Sequence, residues 1–472
     1  MTKRSRTWAM GICVCCLASI STFGALAPRY DMDLVVDYDS GAFAGQMTVT
    51  YTNPTSEELS AVFFRVFAND PTLYGDAVVN VSETFVQSSS CTPSWYVGNT
   101  VLEVPLTVPL SPAETVEIRL SFEGQASIWS LGTSASRTGY GILTKSPSSL
   151  TLTAFYPVLG VYGDEGWSLD PSTGFGDTLT SDAADYVVRV SARTGLRPVA
   201  SGTLQTTEET EGGAIYTFTV DAARDFSLVL LDDTYGLTTD RINDRTVNTW
   251  FVSDHLPAQR SANQMAVDAL LLYEELVGPC LYEEIDLVEV PLQTAAGVEF
   301  SGLILVASDY GDRPDDLFFS IIISHEMAHQ WFYAAVGNDV SEHPWLDESF
   351  ATYLSYVFLD ACVGSAAAEG AWDDARTTYA NAERLRGDLS VTSPRYAFPS
   401  SSLYSAYVYS GGALLLDRIR RQLGDDVFYL AVQSYYGDLA RQIATPWDLF
   451  QAFEEVCACS IDDVLAEFRI AR

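Results

Sequence analysis

The sequence predicts a multidomain chain in which an N-terminal all-β domain, saddle- or sandwich-like, precedes an α+β domain. Three observations lead there. At 472 residues the chain is longer than one hydrophobic core usually supports. Its first half consists of short alternating apolar runs, broken by turn residues roughly every 8–12 positions. From about Tyr235 onward the apolar period becomes helical. Hydrophobic residues make up 47% of the chain and charged residues 19%, a globular balance rather than a disordered one. The boundaries read as 1–27 for a targeting segment, 28–235 for the β domain and 236–472 for the α+β domain.

Lys3, Arg4 and Arg6 precede an apolar run from Trp8 to about Ala27, and Ala25-Leu26-Ala27 resembles a small-residue cleavage site. Pro28 directly after it hinders cutting, so the segment reads as a signal peptide or a membrane anchor. Cys13, Cys15 and Cys16 invite lipid attachment, but the residues before them (Ile12, Val14 and Cys15) are not small. The expectation is an exported protein: extracellular, periplasmic or tethered to the outer side of a membrane. There are 62 acids against 26 bases, a net charge of −36, and only two lysines, Lys3 and Lys145. Cleavage after Ala27 would remove three bases and no acids, taking the net to −39. A field of this sign repels nucleic acid and anionic membrane surfaces. Five cysteines would remain, an odd number, so at least one thiol stays free or pairs between chains. Cys457-Ala458-Cys459 lacks the second Cys/His pair of a zinc site and reads as a thiol or distant disulfide near a helix end.

Gln46–Tyr51 runs into the turn signal Asn53-Pro54, and the alternation recurs at 101–106, 115–120, 186–190 and 215–220. Past Tyr235, residues 261–276 carry apolar positions at helical spacing and stop at Gly278-Pro279. Residues 285–291 and 303–306 read as strands. Pro314-Asp315-Asp316 then predicts a helix start, with proline in the first turn and acids at the positive end of the dipole. That helix is expected to end near Gly337-Asn338. A second helix is expected over about 345–359, and short-looped helices from about Tyr404 to Ile470.

Two of the four histidines lie in one five-residue string, His325-Glu326-Met327-Ala328-His329. Residues four apart share a helix face, so both imidazoles can reach one metal ion, and Glu326 can serve as general base to a water beside it. Two histidines complete only half of a catalytic zinc site. Glu348, after 18 intervening residues on the next expected helix, is the candidate third ligand. Spacing alone also fits a solvated helix charge. Asp347 is a candidate acceptor for a ligand histidine. His343 reads as a loop surface histidine, and His255 has no assigned role.

The segments 325–332 and Trp345-Leu346-Asp347-Glu348-Ser349-Phe350-Ala351 resemble the H-E-x-x-H-x18-E signature of the aminopeptidase N family of zinc metallopeptidases. Val336-Gly337-Asn338-Asp339 and Pro344-Trp345-Leu346-Asp347-Glu348 resemble its shorter bacterial members, which end without the large C-terminal helical domain. The resemblance implies a thermolysin-like catalytic domain with one zinc ion per chain, held by His325, His329 and Glu348, and Glu326 activating water. Gly297-Val298-Glu299-Phe300-Ser301-Gly302 is similar to the family's G-x-M-E-N segment. It implies substrate binding by Gly297 and Glu299, the latter on the free α-amine, although Val298 and Phe300 replace methionine and asparagine. Residues 404–412 are similar to the segment that carries a catalytic tyrosine, here Tyr409, with Gly411 where a lysine is common. Without the resemblance, Tyr409 reads as a core residue of a tyrosine-rich helix. Tyr30–Asp70 and Ala154-Phe155-Tyr156-Pro157 resemble the family's opening β domain. A second amine-binding Gln or Glu is expected from that domain, and no motif in the sequence places it.

The implied function is a zinc-dependent aminopeptidase acting on peptide substrates, without nucleic acid and with a membrane tether left open. The alternatives are a zinc hydrolase or endopeptidase that needs no free N-terminus, and a silenced peptidase fold that only binds. The intact Glu326, His325, His329 and Glu348 argue against silencing.

Overall fold

The computed structural model describes residues 27–129, 139–163, 166–171, 173–177 and 179–471. All but the last residue of the expected targeting segment lie outside them, so the anchor and lipidation readings of Lys3 to Ala25 do too. Among the described residues, no helix is long and apolar enough to cross a membrane.

The β domain is built on an eight-stranded sheet with the order 203–210, 213–223, 184–193, 29–37, 42–52, 115–125, 78–86 and 89–90. Its logic is legible in Arg29–Asp37: Tyr30, Met32, Leu34 and Val36 are buried, while the residues between them face outward. A four-stranded sheet, a five-stranded sheet and a two-stranded ribbon accompany it. Each strand expected from the sequence lies within a longer observed one. The last of these, Gly213–Ala223, leads to Arg224, which joins the two halves. Its buried guanidinium donates to the carbonyls of Ser181, Tyr333, Ala335 and Gln442.

The second half opens with the hairpin Tyr235–Ile242 and Arg245–Val252, which joins a five-stranded sheet in the order 235–242, 245–252, 284–290, 303–307 and 297–300. The last strand, Gly297–Phe300, is an antiparallel edge. A long helix, Leu256–Leu276, begins a turn earlier than expected because Pro257 is tolerated in a first turn.

The motif helix is shorter than expected, spanning Leu317–Ala328. Asp316 caps it, accepting from the Phe318 N–H at 2.9 Å, so Pro314 lies outside. It does not reach Gly337. Arg224 captures the carbonyls of Tyr333 and Ala335, and Tyr333 adopts φ 118°. The following helix, Trp345–Phe358, matches expectation and passes into a π-helical turn at Leu359–Val363. Ser365–Leu385, which no motif marked, is a further long helix. Cys457 and Cys459 form a disulfide with each other across Ala458 at a helix end, neither a metal pair nor a distant bridge. Cys91, Cys280 and Cys362 are free thiols.

One buried carboxyl on this sheet makes a stability prediction. Burial and the neighbouring Glu284 push Asp286 up to about 8, while Trp250 Nε1 donates to it at 2.7 Å. The folded protein therefore holds a proton there that the unfolded chain releases above its ordinary value of 3.8. Its contribution to stability falls as pH rises from about 4 to about 8. Asp286→Asn keeps the acceptor without the ionisation. It is expected to add on the order of 1–3 kcal/mol at pH 8 and almost nothing at pH 4. Denaturant unfolding at the two pH values checks this, and an equal change at both would refute it.

Candidate metal centre

Helix periodicity brings the Nε2 atoms of His325 and His329 to 3.1 Å of each other. The next helix returns Glu348, whose Oε2 lies 3.2 Å from His325 Nε2 and 3.6 Å from His329 Nε2. Ligands held about 2.0–2.1 Å from a tetrahedral zinc are about 3.3 Å apart, so three donor atoms stand close to the spacing such an ion imposes. His329 Nδ1 is 2.9 Å from the Phe332 carbonyl, which orients the ring with Nε2 toward His325 and Glu348. The residues fit zinc by donor type and by spacing. Glu299, Glu326 and His329 form a second, overlapping group of donor atoms. Its two carboxylates come from different elements and face each other across the cavity.

Glu326 stands beside the His–His–Glu group, 6% exposed, with Oε2 lacking any partner among the described residues. It packs over the edge strand so closely that a Cβ at Gly297 would come within 2.4 Å of its Oε1. Gln330 ties strand to helix: its Oε1 accepts from the Gly302 N–H at 2.9 Å and its Nε2 donates to the Phe300 carbonyl at 3.1 Å. Glu299 is thereby fixed toward the histidines. Tyr409 sits on a π-helical turn, Ala406–Gly411. Its ring stacks on His325 at 5.8 Å, and its hydroxyl donates to Glu348 Oε1. A Cβ at Gly411 would lie 2.7 Å from the Tyr379 ring, so the position has no room for the family's lysine.

Crowding sets the titration. Burial, then Asp177, pushes Glu299 well above the usual carboxylate range, and burial with Glu299 does the same to Glu326. Burial would lower His329, but Glu299 and Glu348 overcome it and hold the ring well above the ordinary imidazole value. Burial lowers His325. Glu348, despite burial, is held low by hydrogen bonds from both histidines.

Asp347 requires a correction. Its Oδ1 accepts from Asn338 Nδ2 at 3.1 Å and from the Glu348 N–H at 2.9 Å, and it serves no histidine. The Phe332 carbonyl, four residues past the end of the helix, takes that place for His329. His343 is half-buried rather than a surface residue, and its Nδ1 has no partner among the described residues. His255 pairs with buried Glu289 at 2.5 Å, away from the cluster.

The cavity over these residues encloses about 550 Å³. Its inner end, where it meets the β domain, is lined by Tyr140, Gly176, Asp177 and Glu299. Sequence reasoning missed Asp177. It follows a glycine-rich loop without periodicity and carries no motif, and it reaches the site only because the domains pack together. Arg395 donates to the Asp177 backbone carbonyl. The Asp177 carboxyl is driven up by burial and by Glu348 and Asp347. Thr352 and Asp374, also unmarked in sequence, line the outer part.

Residues 264–468 match the family model described as Peptidase family M1 domain. The chain is 26% identical over 198 residues to a probable aminopeptidase 1 of Sulfurisphaera tokodaii, covering 40% of this chain and 25% of that protein. It is 25% identical over 287 residues to aminopeptidase M1-D of Oryza sativa, covering 59% of this chain and 32% of the relative. The matches thus span a third or less of these curated relatives. A crystal structure of an M1 zinc metallopeptidase from Deinococcus radiodurans shares the fold, with TM-score 0.65 and 20% identity over 95% of this chain and 94% of that one.

Proposed function

We propose, from the match of residues 264–468 to the peptidase family M1 domain, that the chain is a zinc-dependent aminopeptidase that removes N-terminal residues from peptides. The observation that carries the reading is the convergence of His325, His329 and Glu348 at 3.1–3.6 Å, beside Glu326 with its unpartnered Oε2, in a cavity also lined by Glu299 and Asp177. Zinc, when bound, supplies Lewis-acid polarisation of the scissile carbonyl and lowers the pKa of a nearby water. Glu326 takes the proton of the attacking water and delivers it to the leaving amine. The Tyr409 phenol, on the Glu348 side of the cavity, donates to the developing oxyanion. Glu299 and Asp177 receive the substrate ammonium at the inner end. Asp177 thereby takes the part that the family assigns to a second acidic or amide residue from the β domain.

The test compares free amino-acid amides with their N-acetylated twins, using zinc-loaded protein and the variants Glu299→Ala and Asp177→Asn. Turnover is expected only for the free amines. Each variant is expected to lose roughly 10–100-fold in kcat/KM, because a buried ion pair with the substrate is removed. Equal turnover of the blocked twins would overturn the reading.

A further inference from the structure

Beyond the reactive groups, the cleft widens between three helices. Phe318, Ile321 and Ile322, on the motif helix, form an apolar wall. Thr352 and Tyr356 lie four residues apart on the helix 345–358, and Asp374 and Thr378 four apart on the helix 365–385, so each pair lies on one face. We propose that this outer part is a subsite for a basic side chain, arginine or lysine, on the residue directly after the scissile bond, with Asp374 and Thr352 as its determinants. The assignment rests on the aminopeptidase reading, which fixes the direction of the substrate.

The direction follows from the edge strand. If the ammonium meets Glu299 at the inner end, the residue being removed lies there. The chain past the bond then runs outward along Val298, Gly297 and Ala296, toward Phe318 and Asp374. Gly297 is two residues from Glu299, roughly 6.6 Å along a strand, about the length of two extended substrate residues, the one removed and the one after it. Phe318 is 49% exposed and Asp374 is exposed, which marks this end as the mouth.

The chemistry follows from what is left unpaired. Thr352 is only 6% exposed, faces the cavity, and its Oγ1 has no partner among the described residues. A buried hydroxyl is seldom left so, because the missing hydrogen bond costs about 1–3 kcal/mol. Asp374 makes no ion pair among the described residues, whereas its neighbour Asp373 is taken by Arg376. It stands close enough to the Tyr356 phenol to contribute to raising it, after burial. No lysine or arginine lines the cavity to neutralise the carboxylate. An apolar wall beside two hydroxyls and a free carboxylate suits a side chain with an aliphatic stem and a cationic head. An acidic side chain there would meet Asp374, and a short apolar one would leave Thr352 unpaired.

The experiment measures kcat/KM for Leu-Arg, Leu-Ala and Leu-Glu with the full zinc-loaded chain and with Asp374→Asn, Asp374→Lys and Thr352→Val. Binding of Leu-Arg to Glu326→Gln protein is followed by calorimetry as a readout independent of turnover. The expected order is Leu-Arg over Leu-Ala over Leu-Glu, with Leu-Arg favoured over Leu-Glu by about 10-fold, the scale of a partly screened ion pair with one hydrogen bond. Asp374→Asn should compress that ratio about 3–5-fold, Asp374→Lys should invert it, and Thr352→Val should lower Leu-Arg relative to Leu-Ala. A ratio near one in the wild type, or one that Asp374→Asn leaves unchanged, would overturn the subsite while the aminopeptidase reading stands. An Asp374-dependent preference for arginine as the residue removed would overturn its placement. Failure to cleave any unblocked dipeptide would overturn both readings.

Discussion

Replacing Glu326 with glutamine is expected to reduce kcat by roughly 10²–10⁴-fold while zinc stays bound at the wild-type level. The two effects separate because Glu326 stands outside the His325–His329–Glu348 group, whose donor atoms lie 3.1–3.6 Å from one another. Glutamine has the same shape and fills the contact over Gly297, where the wild-type Oε1 leaves no space for a Cβ. It cannot accept a proton. It also relieves the repulsion from Glu299 that helps to raise the protonation of Glu326. The thermal midpoint of the variant should therefore be no lower than that of the wild type. Zinc per chain, kcat and a melting curve on the same preparation decide the matter. Residual turnover within tenfold of wild type would remove Glu326 from the role of general base, and loss of zinc would show that it helps to hold the metal.

Replacing His329 with alanine should have the opposite signature: zinc is lost, and activity with it. His329 is 1% exposed and sits at the centre of the cluster, with Nδ1 on the Phe332 carbonyl and Nε2 toward both His325 and Glu348. A site of one histidine and one carboxylate is too poor in ligands for a catalytic zinc. Ligand binding stabilises a fold by RT ln(1 + [L]/Kd), about 2.7 kcal/mol at a hundredfold excess over Kd. For a domain of this size that corresponds to roughly 5–10 °C in Tm. The wild type should therefore gain that increment when zinc is added to chelator-treated protein, and the variant should gain almost none. Near-stoichiometric zinc in the variant would refute the ligand set.

The first part of the candidate site was readable because it is local. His325 and His329 share a face by helix periodicity alone, and Glu326 stands beside them by adjacency. Glu348 needed more, since 18 residues separate it from His329 and spacing left a solvated charge equally open. The family resemblance favoured a ligand, and in the fold the helix 345–358 returns Glu348 to the histidines. Helix ends were read less well. The motif helix stops at Ala328, and beyond it Arg224, from the other half of the chain, claims the Tyr333 and Ala335 carbonyls. No local signal in residues 329–337 announces that competitor.

The sequence by itself determined the alternation that makes the β domain, the helix that pairs two imidazoles, and the donor types that suit zinc. These follow from repeats of 2 and 3.6 residues acting over a few positions. Packing between elements alone set that Asp177 lines the cavity beside Glu299, that Asp347 serves Asn338 rather than a histidine, and that Thr352 and Asp374 face one cleft with Phe318. Those relations join residues on separate elements. Packing of whole elements sets them, and a side chain's chemistry there depends on what neighbours leave unpaired, which no local period encodes.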